Sequence, residues 1–144
     1  MQSSKPAILI VDDDPFFQHL ADDALSDNGF NAFSVSNGLL ALSALKEKRF
    51  DALIVDLSMP QMDGLRLIAL IRATARLRDV PILVATSRRD PTAIDECFLV
   101  GANDYIVKPI DWAELVIRLR KLLVSVPPNR HESSRINTSR SDVF

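Results

Sequence analysis

The sequence predicts an α/β protein in which helices cover both faces of a parallel β-sheet. Two observations support this fold class. Short apolar segments rich in β-branched residues alternate along the chain with longer segments whose apolar residues recur at helical spacing. The apolar segments are nearly unbroken by polar side chains, and strands of that kind are buried on both faces, as they are in parallel sheets.

Five strands and five helices are predicted in strict alternation. We expect the strands, in chain order, over residues 7–11, 31–35, 51–55, 81–86 and 104–107. We expect the helices over residues 14–28, 37–48, 64–76, 91–101 and 111–124. This pattern fits a flavodoxin-like (βα)5 fold, a doubly wound five-stranded parallel sheet with strand order 2-1-3-4-5. In that fold the loops at the carboxyl ends of the strands form the binding crevice.

The first helix has clear boundaries in the sequence. Asp14 followed by Pro15 predicts its start, with a side-chain cap and then proline at the first helical position. Glycine readily adopts the left-handed conformation that ends a helix, so the pair at 28–29, Asn-Gly, predicts its end. Its apolar residues share one face: Phe17, Leu20, Ala21, Ala24 and Leu25.

The fourth helix has more consecutive apolar residues than one buried stripe needs. Residues 97–100 are all apolar, whereas a surface helix should show an apolar stripe. If Ile94, Cys97 and Phe98 face the sheet, Leu99 must point to solvent.

The fifth helix shows a similar excess of apolar residues. Val116 and Ile117 lie beside the residues that we expect to form its core face, Leu115, Leu119 and Leu122. Isolated exposed apolar residues are ordinary on protein surfaces, so these two helices alone do not establish a binding surface.

The composition is that of one ordinary globular domain. The 144 residues are 47% hydrophobic and 25% charged. A net charge of -2 gives no reason to expect direct binding to nucleic acid or to a membrane surface. Cys97 is the only cysteine, which excludes an intramolecular disulfide and argues against a cysteine-based metal site. The N-terminal segment has too few apolar residues for a signal peptide, so we expect a cytoplasmic protein.

The last twenty residues differ in composition from the rest of the chain. From about Pro127 the sequence is polar and rich in serine, and it lacks helical or strand periodicity. We therefore expect a folded domain over residues 5–124 and a polar tail or linker over residues 125–144.

Polar and charged residues follow four of the predicted strands. They are Asp12 and Asp13 after the first, Asp56 after the third, Thr86 at the end of the fourth and Lys108 after the fifth. The predicted topology brings all of them to one edge of the sheet. An aspartate after a strand is often only a turn or cap residue, but the joint occurrence of these residues at one edge indicates a functional site.

The charges in this group predict a bound cation. Two carboxylates about 5 Å apart repel by roughly 3 kcal/mol at an effective dielectric constant of about 20. Three carboxylates together therefore require a proton or a positive charge among them. Oxygen ligands and an incomplete protein shell suit Mg²⁺, whose charge together with that of Lys108 would balance three carboxylates.

The sequence resembles the receiver (CheY-like) domain of two-component response regulators over about residues 5 to 124. The motifs that carry the resemblance are ILIVDDDP, DALIVDLSMPQMDG, PILVATS and GANDYIVKP. The spacings from Asp56 to Thr86 and from Asp56 to Lys108 also match the family. The family function implied is a phosphorylation-dependent switch that accepts a phosphoryl group from a sensor histidine kinase or a phosphotransfer protein.

The resemblance implies a role for each acidic residue of the site. Asp56 would be the phosphoacceptor, and Asp13 would bind Mg²⁺ directly. Asp12 would help to bind the ion directly or through water. The backbone carbonyl of Ser58 would complete the protein's metal ligands together with Asp56.

The resemblance also implies roles for residues of the last two strands. Lys108 would pair with the phosphoryl oxygens, and the bond from Lys108 to Pro109 would be a cis peptide. Thr86 would move to hydrogen-bond the phosphoryl group. Tyr105 would turn inward as Thr86 vacates space. The surface formed by helix 4, strand 5 and helix 5, which receivers commonly use, is a candidate dimer or partner surface that includes Leu99.

Two other functions remain open from the sequence alone. A haloacid-dehalogenase-like phosphatase also uses Mg²⁺ and an aspartyl phosphate, and Asp12 and Asp14 have the spacing of its two acids. However, the chain is short for that fold. A phosphate-independent adaptor is the second alternative. A receiver would catalyse only its own phosphorylation and dephosphorylation, so we do not expect an enzyme that turns over a metabolite. A single-domain regulator with a separate downstream partner and a receiver followed by an output domain both fit the sequence.

Overall fold

The computed structural model describes residues 4–125 and confirms the predicted fold. Five parallel strands form one sheet in the order β2-β1-β3-β4-β5. The strands are β1 (Ala7–Val11), β2 (Asn31–Val35), β3 (Ala52–Val55), β4 (Ile82–Thr86) and β5 (Asp104–Val107). The helices are α1 (Pro15–Asp27), α2 (Gly38–Glu47), α3 (Gly64–Ala73), α4 (Pro91–Val100) and α5 (Trp112–Ser125).

Two apolar cores lie on opposite faces of the sheet. Because side chains alternate between the faces of a strand, neighbouring residues of β1 belong to different cores. Leu9 and Val11 pack in one core, which includes residues of α2, α3 and α4. Ile8 and Ile10 pack in the other, which includes residues of α1 and α5. Both faces are therefore covered, as the unbroken apolar strands predicted.

The predicted start and end of α1 are confirmed. The Asp14 side chain accepts a hydrogen bond from the Phe16 N–H, and Pro15 is the first helical residue. Asn28 ends the helix, and Gly29 has a φ of 89°, in the left-handed region that glycine tolerates. Phe17 lies on the buried face of the helix.

Helix α3 is shorter than predicted. It ends at Ala73, because Thr74 adopts an extended conformation, and a separate 3₁₀ helix follows over Ala75–Leu77. The Thr74 hydroxyl donates to the Leu70 carbonyl at 2.9 Å. That bond uses a carbonyl near the end of the helix, where carbonyls lack partners within the helix.

Two predictions for the faces of α4 and α5 were wrong in part. Phe98 is 44% exposed rather than packed on the sheet, whereas Cys97 is fully buried and Leu99 is 84% exposed, as expected. In α5, Val116 is buried beside Leu115 in the core. The sequence periodicity could not separate these neighbours, because each helix has apolar residues on more than one face.

The predicted boundary between the folded domain and the tail stays a prediction. Ser125 is the last residue of α5, and the rest of the predicted tail lies outside the described residues. Among the helices between residues 4 and 125, none has the length and apolar content needed to cross a bilayer.

Candidate functional site

The strand register brings two of the predicted acids together. Val11 of β1 pairs with Val55 of β3 in the parallel sheet, so the next residues, Asp12 and Asp56, leave adjacent strands at the same level. The backbone continues this pairing, because the Asp56 N–H donates to the Val11 carbonyl at 3.0 Å. The two carboxylates therefore meet because their strands end in register.

Asp12 is the most deeply buried acid of the site, with 1% of its surface exposed. One of its oxygens accepts the Asp14 N–H at 2.9 Å, and the other accepts the Lys108 ammonium at 2.7 Å. Burial raises the pKa of Asp12 above its ordinary value, and the hydrogen bonds and charge of its partners only partly oppose this effect. Asp12 is thus a carboxylate whose charge is only partly compensated.

Lys108 joins the two buried acids. Its ammonium lies 2.7 Å from Asp12 Oδ2 and 3.4 Å from Asp56 Oδ2. Burial lowers the pKa of Lys108, but the hydrogen bond and charge of Asp12 and the charge of Asp56 outweigh this effect, so its pKa is raised overall. The environment stabilises the charged form of Lys108 but not the charged form of Asp12. The reason is that Asp12 is the more deeply buried of the two groups, so its charge loses more contact with water.

Asp56 is less strongly hydrogen-bonded than Asp12. Its Oδ1 accepts the Ser58 N–H at 3.3 Å, and its Oδ2 has the long contact with Lys108. Asp56 is 7% exposed, and Asp13 lies beside it at the surface. One oxygen from each of Asp12, Asp13 and Asp56 lies within 4.8 Å of the others.

These donors fit a divalent cation. All three are carboxylate oxygens, the ligands that Mg²⁺ prefers, and the exposed position of Asp13 leaves room for water or phosphate at the ion. Three carboxylates and Lys108 carry a net charge of about -2, which one Mg²⁺ would neutralise.

The segment after β3 is held by a cap and by a glycine. Asp63 caps α3 by accepting the Arg66 N–H at 2.9 Å, and the Gly64 N–H donates to the Leu57 carbonyl at 2.9 Å. A Cβ atom on Gly64 would lie 2.4 Å from the Asp56 carbonyl oxygen, closer than real contacts allow. The motif Met-Asp-Gly at 62–64 therefore lets the start of α3 pack directly against the backbone that carries Asp56.

Thr86 and Tyr105 both contact the backbone of Arg88, in the loop after β4. Thr86 is fully buried, and its hydroxyl oxygen accepts the Arg88 N–H at 3.4 Å. The Tyr105 hydroxyl donates to the Arg88 carbonyl, and the Tyr105 ring is buried and faces inward in this structure. Burial raises the pKa of Tyr105 above its ordinary value.

Two residues of α1 reach the site without having been predicted there. The Gln18 amide donates to the Asp12 carbonyl at 2.6 Å and to the Val35 carbonyl at 3.3 Å, which ties together the ends of β1 and β2. The Lys108 ammonium lies 4.0 Å from the centre of the Phe17 ring. Phe17 was predicted only as a core residue, since an apolar face gives no signal for a contact made at its edge.

A family model decides the classification. The model of the response regulator receiver domain matches residues 8–120, well over half of the chain. The chain belongs to the response regulator receiver domain family. Its fold and the acidic cluster agree with this assignment, and the haloacid-dehalogenase alternative is not favoured.

The curated sequences that this chain resembles include mycobacterial response regulators. The receiver domain is 34% identical over 123 residues to the DNA-binding response regulator MtrA of Mycolicibacterium smegmatis, covering 85% of this chain and 53% of that protein. It is 37% identical over 121 residues to the response regulator MprA of Mycobacterium avium, covering 84% of this chain and 52% of that protein. The chain thus spans about half the length of the curated relatives that it matches.

Solved receiver domains share the fold closely. A putative response regulator from Chloroflexus aurantiacus superposes with a TM-score of 0.81 at 33% identity, covering 85% of this chain and 99% of that one. The receiver domain of a sensor histidine kinase from Pseudomonas aeruginosa superposes with a TM-score of 0.77 at 30% identity, covering 84% and 98%. That second structure holds a magnesium ion coordinated in its active-site cleft.

Proposed function

We propose that this receiver domain is a phosphorylation-dependent switch in which Asp56 accepts a phosphoryl group from a partner's phosphohistidine. The observation that carries the proposal is the meeting of three carboxylates with one ammonium where β1, β3 and β5 end. The partner would be a sensor histidine kinase or a phosphotransfer protein. The domain would catalyse only its own phosphorylation and dephosphorylation.

The hydrogen bonds of the two buried acids favour Asp56 as the acceptor. Both oxygens of Asp12 accept short hydrogen bonds, at 2.9 and 2.7 Å, which leave each oxygen one free lone pair. The contacts of Asp56 are longer, at 3.3 and 3.4 Å, so its lone pairs are freer to attack phosphorus. Asp56 is also the more exposed of the two and is easier for a phosphodonor to reach.

The transfer step is a substitution at phosphorus. An Asp56 oxygen forms a bond to phosphorus as the nitrogen–phosphorus bond of the phosphohistidine breaks, and the imidazole nitrogen keeps the electron pair and takes a proton from solvent. The Lys108 ammonium can leave Asp12 to pair with the transferred oxygens. In the reverse direction of the switch, water attacks the phosphorus and returns the free carboxylate and inorganic phosphate.

The acidic residues around Asp56 would hold the metal ion. Asp12, Asp13, Asp56 and the backbone carbonyl of Ser58 would bind Mg²⁺. The bound ion would supply charge that stabilises the phosphoryl oxygens during transfer. Asp13 contributes from the surface, so the site stays open to an incoming phosphoryl group.

Thr86 and Tyr105 would transmit the change to the surface. The Thr86 hydroxyl would turn to a phosphoryl oxygen and release the Arg88 N–H, and the Tyr105 ring, which already faces inward, would move further into the space that Thr86 vacates. The loop after β4 would then have two alternative arrangements, and phosphorylation can shift the balance between two such arrangements. The readout surface would be α4, β5 and α5, where Leu99 and Ile117 are exposed and a second copy or another partner could bind.

Acetyl phosphate tests the proposal. With Mg²⁺ present, the intact chain should gain the mass of one phosphoryl group, and EDTA should prevent this gain. Asp56→Asn should abolish labelling, whereas Asp12→Asn should slow it without removing it. Labelling that persists in Asp56→Asn and is lost in Asp12→Asn would overturn the proposal and favour an aspartyl phosphatase. Equal partner binding with and without beryllofluoride would favour an adaptor instead.

A further inference from the structure

The Lys108 ammonium has three close neighbours, and only two of them are carboxylates. Asp12 and Asp56 lie at 2.7 and 3.4 Å, and the centre of the Phe17 ring lies at 4.0 Å. An ammonium has three N–H groups and no lone pair, so it is best stabilised when each side meets negative charge. The negative face of an aromatic ring provides such a contact without adding a charge to the site.

The Phe17 ring is held firmly enough to act as a fixed support. It is 6% exposed and lies on the core face of α1. Its centre is 5.3 Å from that of Trp112, the first residue of α5, and the two rings are tilted by 42°. Two helices on the same face of the sheet therefore determine where the ring lies.

We propose that Phe17 is a positioning residue for phosphoryl transfer, whose ring face holds the Lys108 ammonium between Asp12 and Asp56. The inference rests on the proposed function, in which Lys108 pairs with the transferred oxygens. A leucine at position 17 would fill the core, but it would present no negative face to the ammonium.

The ring suits a lysine that has to move during the reaction. A hydrogen bond to a carboxylate depends strongly on distance and angle, whereas the attraction to a ring face acts over a broad area. The ammonium can therefore shift from Asp12 toward an oxygen on Asp56 while it stays above the ring. Without the ring, only the two carboxylates would hold the ammonium, with Asp12 the nearer at 2.7 Å, and its transfer to the phosphoryl group would be slower.

A ring series at position 17 tests the inference in the full chain. Phenylalanine analogues with one, two and three fluorine atoms, placed only at position 17, keep the shape of the ring while they weaken its negative face. The rate of labelling by acetyl phosphate should fall stepwise, by about threefold for the most fluorinated ring. The labelling rate of the Phe17→Leu variant should fall by at least the same factor. The maximal rate should change while the Mg²⁺ concentration for half-maximal labelling stays within about twofold.

Phe30 provides the matched control. It is also a buried phenylalanine beneath a cation, with the Arg120 guanidinium 5.8 Å from its ring centre, and it belongs to the same core as Phe17. The same fluorinated series at Phe30 should leave the labelling rate unchanged. Equal slowing at both positions would mean that fluorination acts through core packing, and the inference would be wrong.

A double-mutant cycle separates positioning from packing. In a Lys108→Met background, Phe17→Leu should cause no further loss of rate, because the ammonium that the ring supports is absent. The same further loss in both backgrounds would overturn the inference. If the unmodified chain is labelled and every ring variant is labelled at its rate, Phe17 has no such role, but the proposed function stands. If the unmodified chain itself is not labelled, the proposed function fails and the role of Phe17 fails with it.

Discussion

The Lys108 ammonium lies 2.7 Å from a carboxylate oxygen of Asp12, a residue 96 positions earlier in the chain. This contact closes the site from the side of β5. Lys108 is the one positively charged partner of the buried Asp12 in this contact. The cluster of three carboxylates and one ammonium therefore still carries a net negative charge.

Magnesium binding should weaken as the pH falls, starting above the ordinary aspartate pKa of 3.8. Burial raises the pKa of Asp12, so the folded chain keeps a proton at pH values where an exposed aspartate has lost it. Mg²⁺ must displace that proton, and its affinity therefore rises with pH until the pKa of Asp12 is passed. Titration calorimetry at a series of pH values measures this profile.

The same pKa gives the metal-free fold the opposite pH dependence. Because the folded pKa of Asp12 lies above the unfolded one, its protonation contributes stability that is fully present below pH 3.8. That contribution is lost as the pH rises through the folded pKa. Asp12→Asn should remove both effects, and a magnesium affinity that stays flat with pH above 3.8 in the unmodified chain would contradict the prediction.

Gly64→Ala should damage both stability and phosphorylation. The added methyl group would lie 2.4 Å from the Asp56 carbonyl oxygen and 2.8 Å from the Leu57 Cα, so the backbone must move. We expect a loss of about 1–3 kcal/mol in the free energy of unfolding, measured by urea denaturation, and slower labelling of Asp56.

Gly29→Ala is the control for this glycine. Its φ of 89° makes alanine unfavourable, but no atom beyond the two adjacent residues lies within 4 Å of the added methyl group. The variant should lose about 1 kcal/mol in the free energy of unfolding and keep its labelling rate. If both variants were labelled equally fast, the packing of α3 against Asp56 would have no role in the reaction.

Leu99→Glu should change partner binding without changing the fold. Leu99 is 84% exposed on α4, so the free energy of unfolding should stay within about 0.5 kcal/mol of the original. Analytical ultracentrifugation with beryllofluoride should show weaker self-association or partner binding than in the unmodified chain. Leu39→Glu, on the exposed face of α2, serves as the control. If Leu99→Glu has no effect on either kind of association, α4 is not the readout surface.

Arg72→Met should be one of the more damaging substitutions outside the acidic site. The guanidinium donates to the carbonyls of Gly101, Arg78 and Val80 and to the Asn103 side chain, so it joins the end of α3 to the loops that precede β4 and β5. Burial lowers the pKa of this arginine, and the charge of Asp79 opposes that effect. We expect a loss of about 2–4 kcal/mol in the free energy of unfolding, because several carbonyls lose a charged donor.

Arg76→Met is the matched comparison for Arg72. Arg76 lies in the 3₁₀ helix that follows α3 and donates to the Leu45 carbonyl at 2.7 Å. Loss of this hydrogen bond in Arg76→Met should lower the free energy of unfolding by about 1 kcal/mol. Thermal denaturation of the two variants measures the difference, and equal destabilisation would show that the bonds of Arg72 do not act together.

Local sequence patterns determined the element order, the sheet and the edge where the site lies. An unbroken apolar strand such as 7–11 has to be buried on both faces, and a parallel sheet needs a crossover helix between strands. Once that order is given, Asp12 and Asp56 must leave neighbouring strands at one edge. These conclusions depend on periodicity along the chain, and periodicity is a property of the sequence alone.

The tertiary structure alone decided which groups touch. Nothing in the sequence separates Phe98 from Cys97 as the buried residue of α4, or shows that Phe17 lies under Lys108 and that Arg72 reaches Gly101. Each of these depends on the rotation of one element against another, and that rotation is set by the packing of many side chains together. The sequence by itself therefore determined where the charges gather, and the packing decided which of them Lys108 holds.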